Sequence, residues 1–283
     1  MIYKPTDLHI KDYSVSGELF RLKQNETFGY LETVPAPEPD KLSDYYESED
    51  YISHTDSKRN LFEKVYHAVR AYSVKQKIKL ISKYASNGKQ LLDVGCGTGD
   101  FLQAAQKNEW AVYGIEPNEK ARTIANQKTG NTVFDTDHLS QFEKGQFDII
   151  CLWHVLEHLP NLEKQLQHFK SLLKPGGVLV IAVPNHNSFD AGYYHKFWAA
   201  YDVPRHLWHF NKNAIKKLAD HFQLKLIKIK PMWFDAFYVS MLSEKYKTGK
   251  MNPVKGFWTG LRSNIKALFT KEASSLIYIL KKE

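Results

Sequence analysis

The sequence predicts an α/β fold in which a doubly wound, mostly parallel sheet of seven strands carries helices on both faces. Three observations predict it. Short apolar runs alternate with amphipathic helical stretches from Gln90 onward, glycine and proline punctuate the joints, and 283 residues with 43% apolar content suffice to bury one large core. A small N-terminal extension and a helical insertion before the last strand complete the expected architecture.

Residues 1–56 form the expected lead-in or cap. They mix β-like pieces at Leu19–Leu22 and Phe28–Thr33 with a proline-marked link, VPAPEPD, and a tyrosine-rich stretch, YYESEDYISH. The core is expected over residues 57–231. It opens with a helix from Ser57 to about Ser86, whose apolar positions Leu61, Val65, Ala68, Val69 and Tyr72 recur at helical spacing. Strands follow at Gln90–Val94, Ala111–Ile115, Thr132–Phe134, Phe147–Trp153 and Val178–Val183. Helices Phe101–Asn108, Glu119–Gln127 and Leu162–Leu173 separate them, the last stopped by a turn at Lys174–Gly177. A helix capped by Asn211 runs to Phe222, and Leu224–Ile229 is the next strand. Residues 232–273 are the insertion, and the closing strand lies in residues 274–283, at Leu276–Leu280.

The N-terminus lacks an apolar stretch behind a basic start, and no aliphatic run approaches the length of a membrane span, so a cytoplasmic protein is expected. Two cysteines, Cys96 and Cys151, cannot build a disulfide framework. The net charge of +8 is confined to one end: Asn211 to Glu283 holds 15 basic and 5 acidic residues, leaving 24 basic against 26 acidic elsewhere. In the insertion, Phe257, Trp258, Leu261, Ile265, Leu268 and Phe269 share a helical face, with Lys255, Arg262, Lys266 and Lys271 around it. Such a stripe packs on its own domain or on a second subunit, or lies on an anionic membrane surface; the first reading is the ordinary one.

The segment QLLDVGCGTGDFL sets a strand, a G-x-G-x-G turn and a helix start in succession. Gly95 and Gly97 permit backbone angles and ligand approach that a side chain would block, and Gly99 opens the helix. Asp93 stands at the strand's carboxyl end, where ligands sit in open α/β sheets. A dinucleotide site would place glycine where this chain has Asp100, and a carboxylate beside the turn repels pyrophosphate but suits an ammonium and a sulfonium. The next strand ends GIEPN, which positions Glu116 to accept from two ribose hydroxyls.

DVGCGTG followed by GIEP resembles the class I S-adenosylmethionine-dependent methyltransferases, and the likeness covers about Lys75 to Lys230. The resemblance implies a Rossmann-like fold with S-adenosylmethionine as cofactor. By it, Asp93, Gly95, Gly97 and Gly99 line the methionine part of the cofactor, Glu116 holds the ribose, Asp137 (with Asp135 in reserve) meets the adenine, and Cys96, Pro117 and Trp153 are further cofactor-binding residues. The N-terminal region is similar to the zinc-ribbon lead-in of some small-molecule methyltransferases, but Ile10, Gln24 and Thr27 stand where those carry cysteines, so no zinc site is expected. His154-Val155-Leu156-Glu157-His158 matches a two-histidine zinc pattern, H-x-x-E-H; its place at the crevice rim assigns His154 to cofactor or substrate instead, and no metal is expected.

Hydroxyl methylation benefits from a base, and the segment after the fifth strand is rich in candidates. His206 or His154 is the expected base, with Arg205 positioning an anionic or polar acceptor. The Asn-Pro-Pro-aromatic motif of amide and adenine methylation is absent, the corresponding strand ending LWHV. A small acceptor methylated on oxygen is therefore expected, a glycan, lipid or quinone-like molecule, with a lipid-linked acceptor suggested by the basic insertion. Nucleic acid is not the expected partner. The alternative is an RNA or protein methyltransferase docking through the basic quarter.

Overall fold

A computed structural model describes residues 8–38, 41–46, 61–85 and 88–283. The boundary between lead-in and core at residues 56 and 57, most of the tyrosine-rich stretch, and both ends of the helix expected from Ser57 to Ser86 lie outside the described residues.

The chain opens with β1 (Leu8–Lys11), β2 (Leu19–Gln24) and β3 (Leu31–Val34), then α1 (Leu61–Tyr84). The alternating region gives β4 (Gln90–Val94), α2 (Asp100–Gln106), β5 (Ala111–Ile115), α3 (Glu119–Thr129), β6 (Val133–Phe134), β7 (Phe147–Trp153), α4 (Leu162–Leu172) and β8 (Leu173–Pro184). Then follow α5 (Phe189–Tyr194), β9 (Trp208–His209), α6 (Lys212–His221), β10 (Leu224–Met232), α7 (Asp235–Thr248), α8 (Pro253–Thr270) and β11 (Ser275–Lys282).

Seven strands make the central sheet in the order β10-β11-β8-β7-β4-β5-β6, parallel except for β11, which runs antiparallel to both its neighbours. The expected fold class is present. Strands β7 and β8 are buried along nearly their whole apolar runs because helices cover both faces. Leu162, Leu166 and Phe169 of α4 and Ile215 and Leu218 of α6 pack on one face, against Leu92, Ile150 and Ile181. On the other, Ile78 and Ile81 of α1 and Phe101 and Leu102 of α2 cover Leu91, Ile149 and Val180. Helices α3 and α6 begin where short polar side chains satisfy free amides: Asn118 accepts from Ala121 N and Asn211 from Ala214 N.

The turn expected at Lys174–Gly177 is not a turn. Helix α4 does stop at Leu172, but Leu173 already pairs with Phe147, and the glycines form an irregularity inside β8, with Gly176 at φ +77 and a register shift between Phe147 and Ile149. The lead-in shares its sheet with the core. Strands β1, β2 and β3 form a second sheet whose fourth strand is β9 from within the core, pairing Leu31 with His209 and Glu32 with Trp208. Ile10, at one of the cysteine positions of the zinc-ribbon comparison, is buried in that sheet's own cluster with Leu22, Trp198 and Tyr201. At the open edge of the main sheet β10 exposes Lys225, Lys228 and Lys230, charges that discourage further strand pairing. Among the described residues no helix is long and apolar enough to cross a membrane.

Candidate cofactor crevice and its rim

The parallel strands end together, and the chain turns there with backbone angles that only glycine adopts freely. Gly95 N–H and Cys96 N–H both donate to the Ile115 carbonyl, at 2.7 and 3.1 Å, tying the end of β4 to the end of β5. Gly95 lies at φ +70, and a Cβ there would collide with Val155, whereas a Cβ on Gly97, at φ +55, would meet open space. Gly97 is thus the point at which a ligand can approach the backbone. Gly99 precedes α2 at φ +77 and packs on Ala125 of α3.

Two carboxylates flank this turn. Glu116 accepts from Gly97 N–H at 2.8 Å through Oε2 and from Asn118 N–H at 3.0 Å through Oε1. Arg122 donates to the carbonyls of Glu116 and Pro117 and holds the strand tip. Asp93 is buried, and its Oδ1 has no hydrogen-bond partner among the described residues. Burial pushes its pKa up to about 7, with Glu116 adding to the rise and Lys77 opposing it. An orphaned buried carboxylate oxygen has the character of an acceptor waiting for a donor. The cradle of Gly97, the orphan on Asp93 and the preorganised Glu116 fit a cationic ligand that carries a ribose.

Trp153 ends β7 with its Nε1–H unpartnered among the described residues, and the Lys77 ammonium lies 4.3 Å from its ring centroid. Asp137 and Asp135 are exposed after β6, in the 3-10 turn Thr136–Gln141; Asp135 caps it by accepting from His138 N–H. Cys96, within the turn, lies against Gly114 of β5, and burial raises its thiol pKa.

Each of the three residues expected to do catalysis has partners within the protein. His154 sits at φ +58, with Nε2 2.9 Å from Asp235 Oδ2 and Nδ1 3.3 Å from Glu157 Oε1. Burial alone would favour a neutral ring, but the charges and hydrogen bonds of Asp235 and Glu157 outweigh it and raise the pKa to about 10. A protonated imidazole takes up no proton, so in this arrangement His154 is the cationic partner of Asp235 and Glu157. His206 is buried, with its Nδ1 on the Ala200 carbonyl at 2.9 Å and its Nε2 4.0 Å from Asp202, beyond hydrogen-bond range. Arg205 is held by groups of the protein itself. Its guanidinium is taken up by Asp12 of the lead-in at 3.0 Å, by Asp202 at 2.6 Å and by the Tyr45 carbonyl.

The H-x-x-E-H segment is not a helix presenting two histidines on one face, but a bend followed by the single 3-10 turn Leu156–His158. His158 turns to Tyr46 Oη and the Arg205 carbonyl, and burial, helped by His206, lowers its pKa to about 4. Among the described residues the grouping able to hold a metal is Glu157, His158 and His206, with ligand atoms within 4.8 Å of one another.

Three residues that sequence reasoning passed over belong to this rim. Lys77 and Arg70 come from α1, and Arg70 reaches Thr98 in the glycine turn and pairs with Asp100. Asp235 opens α7 and binds His154 across 81 positions of sequence. Helical periodicity assigns Lys77 and Arg70 to a solvated face, and no local signal marks Asp235.

A model of the family described as a methyltransferase domain matches residues 66–229, more than half of the chain. A ubiquinone biosynthesis O-methyltransferase of Coxiella burnetii is 32% identical over 125 residues, covering 42% of this chain and 51% of that protein. The protein of the same name from Shewanella halifaxensis is 33% identical over 107 residues, covering 35% and 45%. The chain thus spans about half the length of these relatives. Among solved structures, a SAM-dependent methyltransferase from Archaeoglobus fulgidus superposes with a TM-score of 0.52 at 18% identity, over 79% of this chain and all of that one. A possible histamine N-methyltransferase from Thermotoga maritima gives 0.51 at 18%, over 77% and 96%. The strand order, the glycine turn and these matches agree: the chain belongs to the methyltransferase-domain family.

Proposed function

We propose that the protein transfers the methyl group of S-adenosylmethionine to an oxygen of a small acceptor, with a quinone-like phenol foremost. The observation that carries the cofactor half of this reading is the orphaned Asp93 carboxylate beside the Gly95–Gly99 turn, one strand away from Glu116. The acceptor half draws on the named activity of the aligned relatives, over the part of the chain that aligns. The cofactor supplies an electrophilic methyl carbon on a sulfonium. Asp93 takes its ammonium end and Glu116 the ribose, with Gly97 leaving room between; Arg70, at the mouth of the turn, suits its carboxylate. Asp137 or Asp135 meets the adenine, and Trp153, Cys96 and Pro117 line the crevice.

In-line displacement then depends mainly on alignment and exclusion of water, the acceptor entering as its phenolate with its proton lost to solvent beforehand, so that methyl transfer leaves the neutral sulfide and the aryl ether. His154 acts as a positioning residue that fastens α7 to the crevice through Asp235. Titration calorimetry with S-adenosylmethionine and its demethylated product tests the cofactor site. Asp93→Ala and Glu116→Ala should each weaken binding by about 10- to 100-fold, the magnitude of a lost charge-assisted hydrogen bond. Unchanged affinity in both variants overturns the site. Methyl transfer to catechol-type phenols, followed by mass spectrometry, tests the acceptor class; transfer to an amine in preference to the phenol overturns oxygen as the target.

A further inference from the structure

Helix α8 is packed inside out. The side chains it buries are small: Gly256, Thr259, Gly260, Ser263 and Ala267. They fit tightly, since a Cβ on Gly256 would lie 2.7 Å from Met241 Cα, and one on Gly260 2.8 Å from the Ala236 carbonyl oxygen. Ser263 donates to the buried Asp190 at 2.6 Å. At about 100° per residue the opposite face of the helix is Val254, Phe257, Trp258, Ile265, Leu268 and Phe269. All six are between 48% and 81% exposed. The apolar stripe read from the sequence therefore exists, but it faces away from its own domain.

So large an apolar face marks a docking surface. Its charge selects the occupant. Residues 245–271 contain seven lysines and arginines and no acid. Arg262 and Lys266 are exposed on one flank of the stripe and Lys271 at its end. A two-fold contact between two copies would bring this basic helix against itself and set like charges together. An anionic bilayer matches both properties at once, accepting the aromatic and aliphatic side chains at the acyl boundary while its headgroups meet the cations. The surface also continues toward the crevice. Asn264 of α8 donates to the Trp233 carbonyl at 2.7 Å, and Asp235, two residues on, holds His154 at the rim.

We infer that the protein docks peripherally on anionic lipid surfaces through the outward face of α8, with Phe257, Trp258, Leu268 and Phe269 entering the interface and Arg262 and Lys266 meeting the headgroups. This inference stands apart from the acceptor proposed above, and its readout involves no methyl transfer. The full chain is sedimented with vesicles of phosphatidylcholine alone and of phosphatidylcholine mixed with phosphatidylglycerol. Binding is expected to the mixed vesicles and weak or absent with the neutral ones. Trp258→Ser with Phe269→Ser, and separately Arg262→Glu with Lys266→Glu, should each weaken partitioning at least about tenfold while leaving cofactor affinity unchanged. Failure of the unaltered chain to sediment with mixed vesicles, equal binding to neutral ones, or unaltered binding by both variants overturns the inference. So does a dimer in sedimentation equilibrium that Trp258→Ser with Phe269→Ser turns into a monomer, which assigns the face to a second copy. Should a variant lose its fold, brominated lipid decides on the unaltered chain: quenching of tryptophan emission supports the contact, and its absence overturns it.

Discussion

Asp93 shows how one buried carboxyl links pH to ligand affinity. Its pKa, raised to about 7 chiefly by burial, leaves a large fraction protonated at neutral pH when no ligand is bound. The cofactor's ammonium requires the ionised form. Affinity should therefore climb as the pH rises toward 7 and level off above it, falling by up to about tenfold per unit below. Calorimetry from pH 5.5 to 8.5 checks this, and a flat profile would show that the carboxylate does not face the ligand. His154 has the opposite charge and a measurable consequence for stability. Its pKa is about 10 in the folded protein against 6.5 ordinarily, so folding takes up a proton between those values. The stabilisation is fully present below pH 6.5 and is lost as the pH climbs through 10. Urea unfolding of the native chain should thus show stability declining between pH 7 and 10, while Asp235→Asn should be less stable at pH 7 and show a shallower decline.

At the scale of elements, the pairing of α7 with α8 depends on two glycines rather than on large apolar side chains. Gly260→Ala adds a single methyl against the backbone of Ala236 and Phe237. It should lower stability by about 1–3 kcal/mol, as overpacking at a close helix contact does. Thermal unfolding checks the loss, and an unchanged midpoint would mean that the helices separate without cost. The strands before each turn were legible because β4, β5 and β7 are apolar runs of strand length between polar joints, and their bounds coincide with the expected ones. The bulge in β8 was not, because Lys-Pro-Gly-Gly is the composition of a turn, and only pairing with β7 keeps it extended. The direction in which α8 faces was equally hidden. Amphipathic periodicity identifies two faces of a helix but not which one a neighbour covers, and here the close approach of α7 selects the small residues.

For the whole molecule, Arg205 is the hub that joins the lead-in sheet to the main domain, bound by Asp12 on one side and Asp202 on the other with its side chain only 8% exposed. Removing one partner of a buried ion pair strands the rest, and Arg205→Ala should cost about 3–5 kcal/mol and free the N-terminal strands for proteolysis. If the variant instead kept its stability and raised the KM for the acceptor, Arg205 would be a substrate ligand after all. By itself the sequence determined the fold class, the glycine turn and the two carboxylates at its sides, because each is written in a short stretch of chain: a strand's worth of apolar residues, a bend that needs glycine, an acid at a strand's tip. Tertiary structure alone decided the fate of the histidines and of Arg205, because their protonation and availability depend on partners such as Asp235 and Asp12, far along the chain, that folding brings within hydrogen-bond range.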